Sequence, residues 1–221
     1  GNLLIESDNP GNSQILISGN VSETDFTLSG ADGSGNLVRE DVAFSQGGKH
    51  VANTDWTLSL DNNGASGLGL QYELTGIELL ASGSNYLVID TDASATEGSD
   101  DLELNAQVTG SGNIAFNAAD NQTIVFTSKE GESNNYTGAT LVQNGTLSLG
   151  SDNVLGGNTS GTSVLDVNAG AGVLLNGTTQ LVHGLEGSGS IDLGMGTLNL
   201  TKTEQGDQSI ANALSGNSGT L

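Results

Sequence analysis

The chain has no cysteine, one proline and four basic residues among its 221 positions. Without cysteine it forms no disulfide bond and holds no metal or cluster through thiolates. A single proline excludes a proline-rich linker, and the absence of a Gly-X-Y period excludes a collagen-like triple helix. The apolar runs are too short for a membrane-spanning helix. We therefore expect no direct membrane insertion by this chain.

Positive charge is scarce and scattered. The four cations, Arg39, Lys49, Lys129 and Lys202, are set against 26 acidic residues, and the formal net charge is −22. Such a chain cannot build the basic patch that follows a phosphate backbone, so the sequence excludes nucleic acid as a partner. Contact with anionic lipid is disfavoured for the same reason.

Bulky side chains are also few. The hydrophobic fraction is 34% and the aromatic fraction 4%, whereas glycine occurs 34 times. A conventional core needs more bulk, and an acidic chain rich in Gly, Ser and Asn can instead be disordered. A solenoid needs only a few aliphatic residues per turn, so the composition permits that fold.

The sequence does contain a recurring unit in which an apolar, a polar and a second apolar residue are followed by a Gly, Asn or Ser turn. The unit occurs at residues 147–149, 165–167, 191–193 and 198–200. Residues two apart in a strand share a face, so each unit places two apolar side chains together. Turn residues return too soon for helices. The alternation argues against disorder and predicts an all-β fold.

One glycine-rich corner recurs along the chain. Residues 108–114 (VTGSGNI) are repeated as residues 185–191 (LEGSGSI), with a looser copy at residues 214–221. The Asn-Gly pairs could instead form two-residue hairpins, which would give an antiparallel sandwich or barrel. Reuse of one corner favours a solenoid over that alternative. We predict a right-handed, single-stranded parallel β-helix of about eight to ten rungs, each about 20–28 residues long.

We expect residues 1–221 to form one continuous β-helix fragment cut from a longer repetitive protein. Residues 1–133 would supply less regular rungs with protruding loops, which are the better place to look for a partner, and residues 134–221 the regular rungs. Three irregular or acidic segments are expected to leave the rod or to form its corners: residues 30–48, 91–101 and 129–135.

The regular part carries a specific resemblance. Residues 135–157 (NYTGATLVQNGTLSLGSDNVLGG) are followed by residues 175–193 (LNGTTQLVHGLEGSGSIDL). Over residues 134–201 the chain closely resembles the passenger-associated repeat of bacterial autotransporters, in which N-Y-T-G is followed by N-G-T-L and a Leu-Gly-Gly corner. The resemblance implies a pertactin-like stem outside the Gram-negative outer membrane, held there by a C-terminal translocator barrel in the parent chain. Residues 134–221 would then lie near the translocator end.

The same resemblance implies an extracellular function at the cell surface. The most similar passengers are self-associating and diffuse-adherence adhesins, which mediate cell adhesion, aggregation or biofilm formation. The expected partner is a host-cell surface or another copy of the chain, bound by multivalent contacts. One alternative is a non-binding stem that serves as a folding template, and a second is a β-helical enzyme acting on polysaccharides.

Arrangements for catalysis are poorly represented. His50 and His183 are the only histidines, alternation places His183 opposite Val182 on the surface of a rung, and no G-x-S-x-G element is present. Asn53–Asp55 with Asp100–Asp101 resembles part of the galacturonase pattern, but no basic element follows to hold an anionic sugar. We therefore predict no enzyme activity, no catalytic residue and no cofactor.

Calcium is the one metal that the sequence leaves open. Asp90–Thr96 offers oxygen ligands at alternate positions, and Asp101 is the twelfth residue counted from Asp90, as in a calcium-binding loop. Ala95 stands where such loops have glycine, and strands rather than helices flank the segment. Residues 32–36 give a weaker match. We assign no metal ligand.

Two aromatic side chains have structural expectations. Trp56 begins the strand Trp56–Leu60, and alternation with Leu58 and Leu60 predicts that it fills the core rather than stacking on a sugar. Tyr136, in the N-Y-T-G element, is expected to cap a rung.

Overall fold

The computed structural model describes residues 3–4, 12–18, 36–62, 67–91, 102–156, 163–201 and 211–221. Side chains are described in all of these ranges except at residues 3–4, 12–18, 61–62 and 67–70. The regular elements in these residues are all β-strands, and no helix among them could span a membrane. In chain order the strands are β1 (Leu3–Leu4), β2 (Asn12–Ser18), β3 (Leu37–Gln46), β4 (Lys49–Asn62), β5 (Gly67–Leu79), β6 (Leu87–Asp90), β7 (Leu102–Leu104), β8 (Gln107–Gly110), β9 (Ile114–Asn117), β10 (Thr123–Phe126), β11 (Thr140–Asn144), β12 (Thr146–Leu149), β13 (Val164–Val167), β14 (Gly172–Leu174), β15 (Thr179–Val182), β16 (Gly184–Gly187), β17 (Ser190–Asp192), β18 (Thr197–Leu200) and β19 (Ala213–Ser215).

Parallel strands stack into a β-solenoid of about five turns with three faces. The first face contains the end of β5, then β8, residues 134–137, residues 153–156, β15 and β18. The second face stacks β1, β6, β9, β11, β13 and β16, and the third stacks β7, β10, β12, β14, β17 and β19. The prediction of an all-β parallel solenoid is therefore confirmed.

Turn length varies while the stacking register is kept. Along the second face Ile114, Thr140, Leu165 and Leu185 pair in succession, so these turns are 26, 25 and 20 residues long. The structure contains about five turns rather than eight to ten. Part of the difference arises because residues 37–79, counted as rungs or loops in the prediction, mostly form antiparallel strands.

A thin apolar core runs through the stack. Leu165 and Val167 have no exposed surface, whereas Asp166 between them faces outward and is half-buried. The other predicted units behave similarly, except that Ser148 is also largely covered and Leu200 is half-buried. The apolar-polar-apolar unit thus correctly identified the inward side of the strands.

An antiparallel sheet with the strand order β2-β5-β4-β3 extends the first face. The tight turn between β3 and β4 is Gly47–Gly48, and both glycines have the positive φ angles, 55° and 76°, that such hairpins require. The prediction of a loop at residues 30–48 is therefore wrong for residues 37–46, which form β3. The remaining part of that segment, residues 30–35, lies outside the described residues.

Trp56 lies on this antiparallel sheet and not in the solenoid core. Its ring is half-buried and packs against that of Tyr72, with ring centroids 5.8 Å apart. Its indole Nε1 donates a hydrogen bond to Thr54 Oγ1 at 3.0 Å. The prediction that Trp56 fills the core is wrong, because β4 continues beyond the stacked turns that would cover this ring.

The tip of the β3–β4 hairpin is attached to the first turn of the solenoid. The Gln46 side chain donates through Nε2 to the Val88 carbonyl and accepts through Oε1 from the Val88 N–H, both at 2.8 Å. Lys49 Nζ donates to Asn85 Oδ1, and Phe44 packs against the core. The Gln46 amide thus bonds β6 as a neighbouring strand would.

Replacing Gln46 with alanine should lower the free energy of unfolding by about 1–3 kcal/mol, because two partly buried backbone groups of Val88 lose their partner. Hydrogen exchange at the Val88 amide should accelerate, and urea unfolding should show the lower stability. The control is Ser45→Ala, which truncates an exposed neighbour on the same strand. Unchanged exchange at Val88 would contradict this role for Gln46.

Candidate functional site

Residues in and beside the N-Y-T-G element form hydrogen bonds between successive turns of the solenoid. Asn134, which is 1% exposed, accepts through Oδ1 from the Val108 N–H at 2.9 Å and donates through Nδ2 to the Val154 carbonyl at 3.2 Å. It therefore joins the turn below to the turn above. The motif asparagine, Asn135, is exposed and contributes its backbone N–H to the Val108 carbonyl.

The next residues of the element have equally structural roles. Tyr136 is fully buried, and its hydroxyl is hydrogen-bonded to Thr140 Oγ1. It lies in the core and does not cap a rung, and burial raises the pKa of its phenol well above the ordinary value. Gly138 has no room for a side chain, because a Cβ there would lie 2.0 Å from the Gly112 carbonyl oxygen.

Polar side chains also form ladders across the corners of the second face. Asp90, Asn117 and Asn144 occupy paired positions in successive turns. Asn117 Nδ2 donates to Asp90 Oδ1 at 2.7 Å, and Asn144 Nδ2 donates to Asp120 Oδ1 at 3.1 Å. Each rung thus fixes the corner of its neighbour through an asparagine amide that donates to an aspartate carboxylate.

The candidate calcium loop begins at this ladder. Asp90 accepts from Asn117, and Thr91 Oγ1 accepts from the Ala119 N–H at 2.8 Å, so both residues serve contacts between turns. The rest of the loop, residues 92–101, lies outside the described residues, as do residues 32–35 of the weaker match. Within the described part of the chain, no three His, Cys, Asp or Glu side chains are grouped as a metal site would require.

The two histidines lie in different parts of the fold, and each forms hydrogen bonds with neighbouring residues. His50 is exposed at the hairpin and its Nε2 is 2.8 Å from Asn53 Oδ1. His183 is half-buried at the corner between β15 and β16, opposite the buried Val182 as predicted, and its backbone N–H donates to the Ser163 carbonyl. In the candidate carboxylate cluster, Asp55 Oδ1 accepts from the Asp41 N–H at 2.9 Å, whereas residues 100–101 lie outside the described part.

A polar cleft of about 660 Å³ crosses the corners between the third and first faces. Its hydroxyls already bond one another: the Ser128 and Ser151 oxygens are 3.1 Å apart, and Thr127 Oγ1 donates to Glu103 at 3.3 Å. The lining contains no aromatic ring to stack on a sugar, and its carboxylates would repel an anionic polysaccharide. The lining residues are Glu73, Glu103, Asn105, Thr127, Ser128, Lys129, Glu130, Gly150 and Ser151.

β3, which is the last strand of its sheet among the described residues, is irregular. Arg39 pairs with Trp56 and Val42 pairs with Thr54, so Glu40 and Asp41 form a bulge in β3. Asp41 has a positive φ of 55°, which breaks the regular extended backbone. A bulge that carries two acidic residues is a typical protection of an edge strand against pairing with another chain.

The first face carries mostly uncharged polar side chains. From β8 onward its outward side chains include Gln107, Thr109, Asn135, Thr137, Thr179, Leu181, Thr197, Asn199 and Thr220. Two exposed carboxylates lie on the same face: Glu78 pairs with Thr109, and Asp152, in the layer between Asn135 and Thr179, accepts from the Thr179 N–H. At its border Glu132 accepts from Gln107 Nε2.

The other two faces also carry outward carboxylates. Asp166 and Glu186 point outward on the second face, and Glu103 and Asp192 do so on the third. The pKa of Tyr86 is raised, first by burial and then by the negative charges of Asp166 and Glu186. Acidic side chains are therefore distributed over all three faces of the described solenoid.

Two curated proteins of Escherichia coli (strain K12) are similar to this chain. It is 32% identical to the uncharacterized protein YuaQ over 178 residues, which cover 79% of this chain and 12% of YuaQ. It is 30% identical to the uncharacterized lipoprotein YdeK over 226 residues, which cover 100% of this chain and 16% of YdeK. The chain thus spans a small part of the length of each relative. No family model and no solved structure matches it.

Sequence reasoning did not predict which polar side chains meet on the first face. These side chains extend over 113 residues of the chain, from Gln107 to Thr220, and come together only through the stacking register.

Proposed function

We propose that this chain is a segment of an autotransporter-type passenger, exposed at the surface of a Gram-negative cell, that mediates adhesion or self-association. The observation that carries the proposal is a parallel solenoid of about five turns whose outward polar side chains recur from turn to turn. The N-Y-T-G and N-G-T-L elements support the passenger assignment. A relative that bears the name lipoprotein supports a place in the cell envelope.

The mechanism would be weak contact repeated many times. Hydroxyl and amide groups at regular heights along the rod each make a modest hydrogen bond with a partner. Parent chains crowded on one cell surface engage together, so the second and later contacts form at high effective concentration. We propose no catalytic role. In the cleft at the corners, the hydroxyls of Ser128 and Ser151 bond to each other and that of Thr127 bonds to Glu103, and no histidine is among the lining residues.

A second candidate function is that of a stem and folding template. It is favoured by the structural use of Asn134, Tyr136 and Gly138, the residues in and beside the resembling element. Removing whole turns of this segment from the parent chain separates the two functions. A stem that binds nothing would leave adhesion intact as long as export is kept, whereas loss of adhesion with normal export supports the proposed contact role.

Salt should strengthen the association of this chain with itself. At low ionic strength the charge of −22 repels a second copy over tens of ångströms, but the screening length falls to about 8 Å near 0.15 M salt. Sedimentation velocity at high protein concentration should show monomer at 10 mM NaCl and reversible association at 300 mM NaCl. A monomer at every salt and protein concentration would contradict self-association.

A further inference from the structure

We propose that the antiparallel sheet, on the face that carries Trp56, binds a sugar that bears a carboxylate. We call this surface the ring face. The inference rests on the adhesive part of the proposed function, because it names the class of ligand that such adhesion would use. The two aromatic rings, the one cation beside them and the position of the neighbouring carboxylates support it.

Strand register places six side chains of the ring face in two adjacent rows across β3, β4 and β5. Since Trp56 is two residues from the buried Thr54, the ring face continues the side of the sheet that faces the solenoid core. Strands about 4.8 Å apart and rows about 7 Å apart give a surface of roughly 10 Å by 7 Å, about the size of one or two sugar rings. The six side chains are Arg39, Trp56 and Leu74 in one row and Leu37, Leu58 and Tyr72 in the other.

The two aromatic rings supply an apolar platform. The ring centroids of Trp56 and Tyr72 are 5.8 Å apart, the rings are tilted by 57°, and Tyr72 is 36% exposed. A sugar ring has a side formed by C–H groups, and this side packs on the negative face of an aromatic ring. The pair can therefore hold a sugar by its least polar side.

The Trp56 ring is fixed before a ligand arrives. Its Nε1 donates to Thr54 Oγ1 at 3.0 Å, and Thr54 Oγ1 donates in turn to the Val42 carbonyl at 3.1 Å. A side chain held in this way loses little conformational entropy on binding. Because its N–H is already used, the indole would contact a ligand by stacking.

Arg39 is the charged side chain of the ring face. It is exposed and lies directly across from Trp56. Alternation along the strands places Asp55, Glu73 and Glu78 on the opposite side of the sheet, and the sequence of β2 contains no charged residue. Among the described residues, no group forms a hydrogen bond or an ion pair with the Arg39 side chain. Its five donors are thus available to a ligand.

The bulge in β3 is directed away from the ring face. Glu40 and Asp41 together oppose Asp55, and the Asp41 N–H donates to Asp55 Oδ1 at 2.9 Å. The bulge therefore contacts the carboxylate that lies on the opposite side of the sheet. A ligand on the ring face meets a cation and two rings there.

A carboxylated sugar combines the two chemistries that this surface offers. A guanidinium group binds a carboxylate through two parallel hydrogen bonds, while the C–H side of the sugar packs on the rings. The chain's net charge of −22 repels a polyanion, but a screening length of about 8 Å near 0.15 M salt limits the repulsion of a single carboxylate. We therefore expect recognition of one terminal acidic sugar. On so open a surface the dissociation constant should be on the order of 1 mM.

The binding test uses Trp56, which is the single tryptophan of the chain, so its fluorescence monitors the ring face directly. Methyl β-glucuronide and methyl β-glucoside differ only in that the first has a carboxylate where the second has a hydroxymethyl group. In 150 mM NaCl the glucuronide should change the Trp56 emission saturably, with a dissociation constant about fivefold or more below that of the glucoside. A methyl α-sialoside, whose carboxylate is attached at a different ring carbon, is titrated in parallel. Tighter binding of either acidic sugar than of the glucoside supports the proposal, and the stronger of the two identifies the kind of acidic sugar.

The variant test assigns the carboxylate to Arg39. Arg39→Gln should raise the dissociation constant of the tighter acidic sugar about tenfold and leave that of the glucoside unchanged. The matched control Lys129→Gln removes a cation from the cleft at the corners and should change neither constant. Tyr72→Ala should weaken the binding of both sugars, because it removes one ring of the platform. Circular dichroism and the thermal midpoint establish that the variants are folded, and the comparison of sugars on the unsubstituted chain needs no variant.

Several results would overturn this site. If another segment of the chain covers the rings, acrylamide will fail to quench Trp56 in the free chain. If a second copy covers them, the Trp56 emission will change with protein concentration. Equal affinity for acidic and neutral sugars, no binding of any sugar, or equal effects of Arg39→Gln and Lys129→Gln also contradict the proposal.

The test separates this site from the proposed function. If no sugar binds, but removing turns of this segment abolishes adhesion by the parent chain, the site is wrong and the proposed function stands. If an acidic sugar binds as expected, but adhesion survives that removal, the site stands and the adhesive function is wrong.

Discussion

Replacing Asn134 with alanine is expected to lower the free energy of unfolding by about 2–5 kcal/mol. The substitution removes one side chain that serves both the Val108 N–H and the Val154 carbonyl, and both of these residues have no exposed surface. A buried backbone group left without a partner costs about 1–3 kcal/mol, and two are left here. The loss should appear as a lower midpoint in guanidinium unfolding with little change in slope.

The adjacent residue supplies a matched control. Asn135→Ala makes the same chemical change at an exposed position whose side chain does not bridge turns, and it should alter stability by less than about 0.5 kcal/mol. Equal destabilisation by the two variants would show that the chemistry of asparagine, and not the bridge between turns, explains the effect of Asn134→Ala.

Replacing Gly138 with alanine should destabilise the chain by about 3 kcal/mol or more. The new Cβ would lie 2.0 Å from the carbonyl oxygen and 2.4 Å from the carbonyl carbon of Gly112, which are backbone atoms that cannot rotate away. Relief requires the two turns to separate, which breaks the bonds from the Asn135 and Thr137 N–H groups to the turn below. Because solenoid turns are stabilised by their neighbours, the single unfolding transition should broaden or divide in two.

The control for this prediction is Gly184→Ala. A Cβ at Gly184 would meet only the Val164 side chain, at 3.8 Å, which is an ordinary contact, and Gly184 has no positive φ angle. This variant should be near neutral or slightly stabilising, because alanine restricts the unfolded chain more than glycine does. A similar loss for both glycine variants would contradict the steric argument.

The inward side of the solenoid was predictable, because the signal is local. Leu165, Asp166 and Val167 alternate within a single strand, and their burial follows the alternation. The hairpin was not predicted, since β3 is interrupted by Glu40 and Asp41 at a bulge and its outward residues include Val38 and Val42. A strand whose apolar residues are exposed and whose charges interrupt the period gives no usable alternation.

The candidate site depends on information that a single sequence lacks. Asn134 and Asn135 are adjacent and chemically identical, yet one is buried between turns and the other is exposed. Which one turns inward is decided by the residues that pass above and below, at Val108 and Val154. Those neighbours are fixed by turns of unequal length, so the bridge could not be predicted from local pattern alone.

The Gln46 amide on β6 has a consequence for assembly. A stack of parallel strands with an unoccupied edge is a template onto which further strands can add, and rods joined in this way grow end to end into fibres. At the first turn, β1 pairs with Ile89 and Asp90, and the Gln46 side chain occupies the backbone groups of Val88 beside them. β6 therefore offers a second chain few of the backbone groups that such end-to-end growth would use.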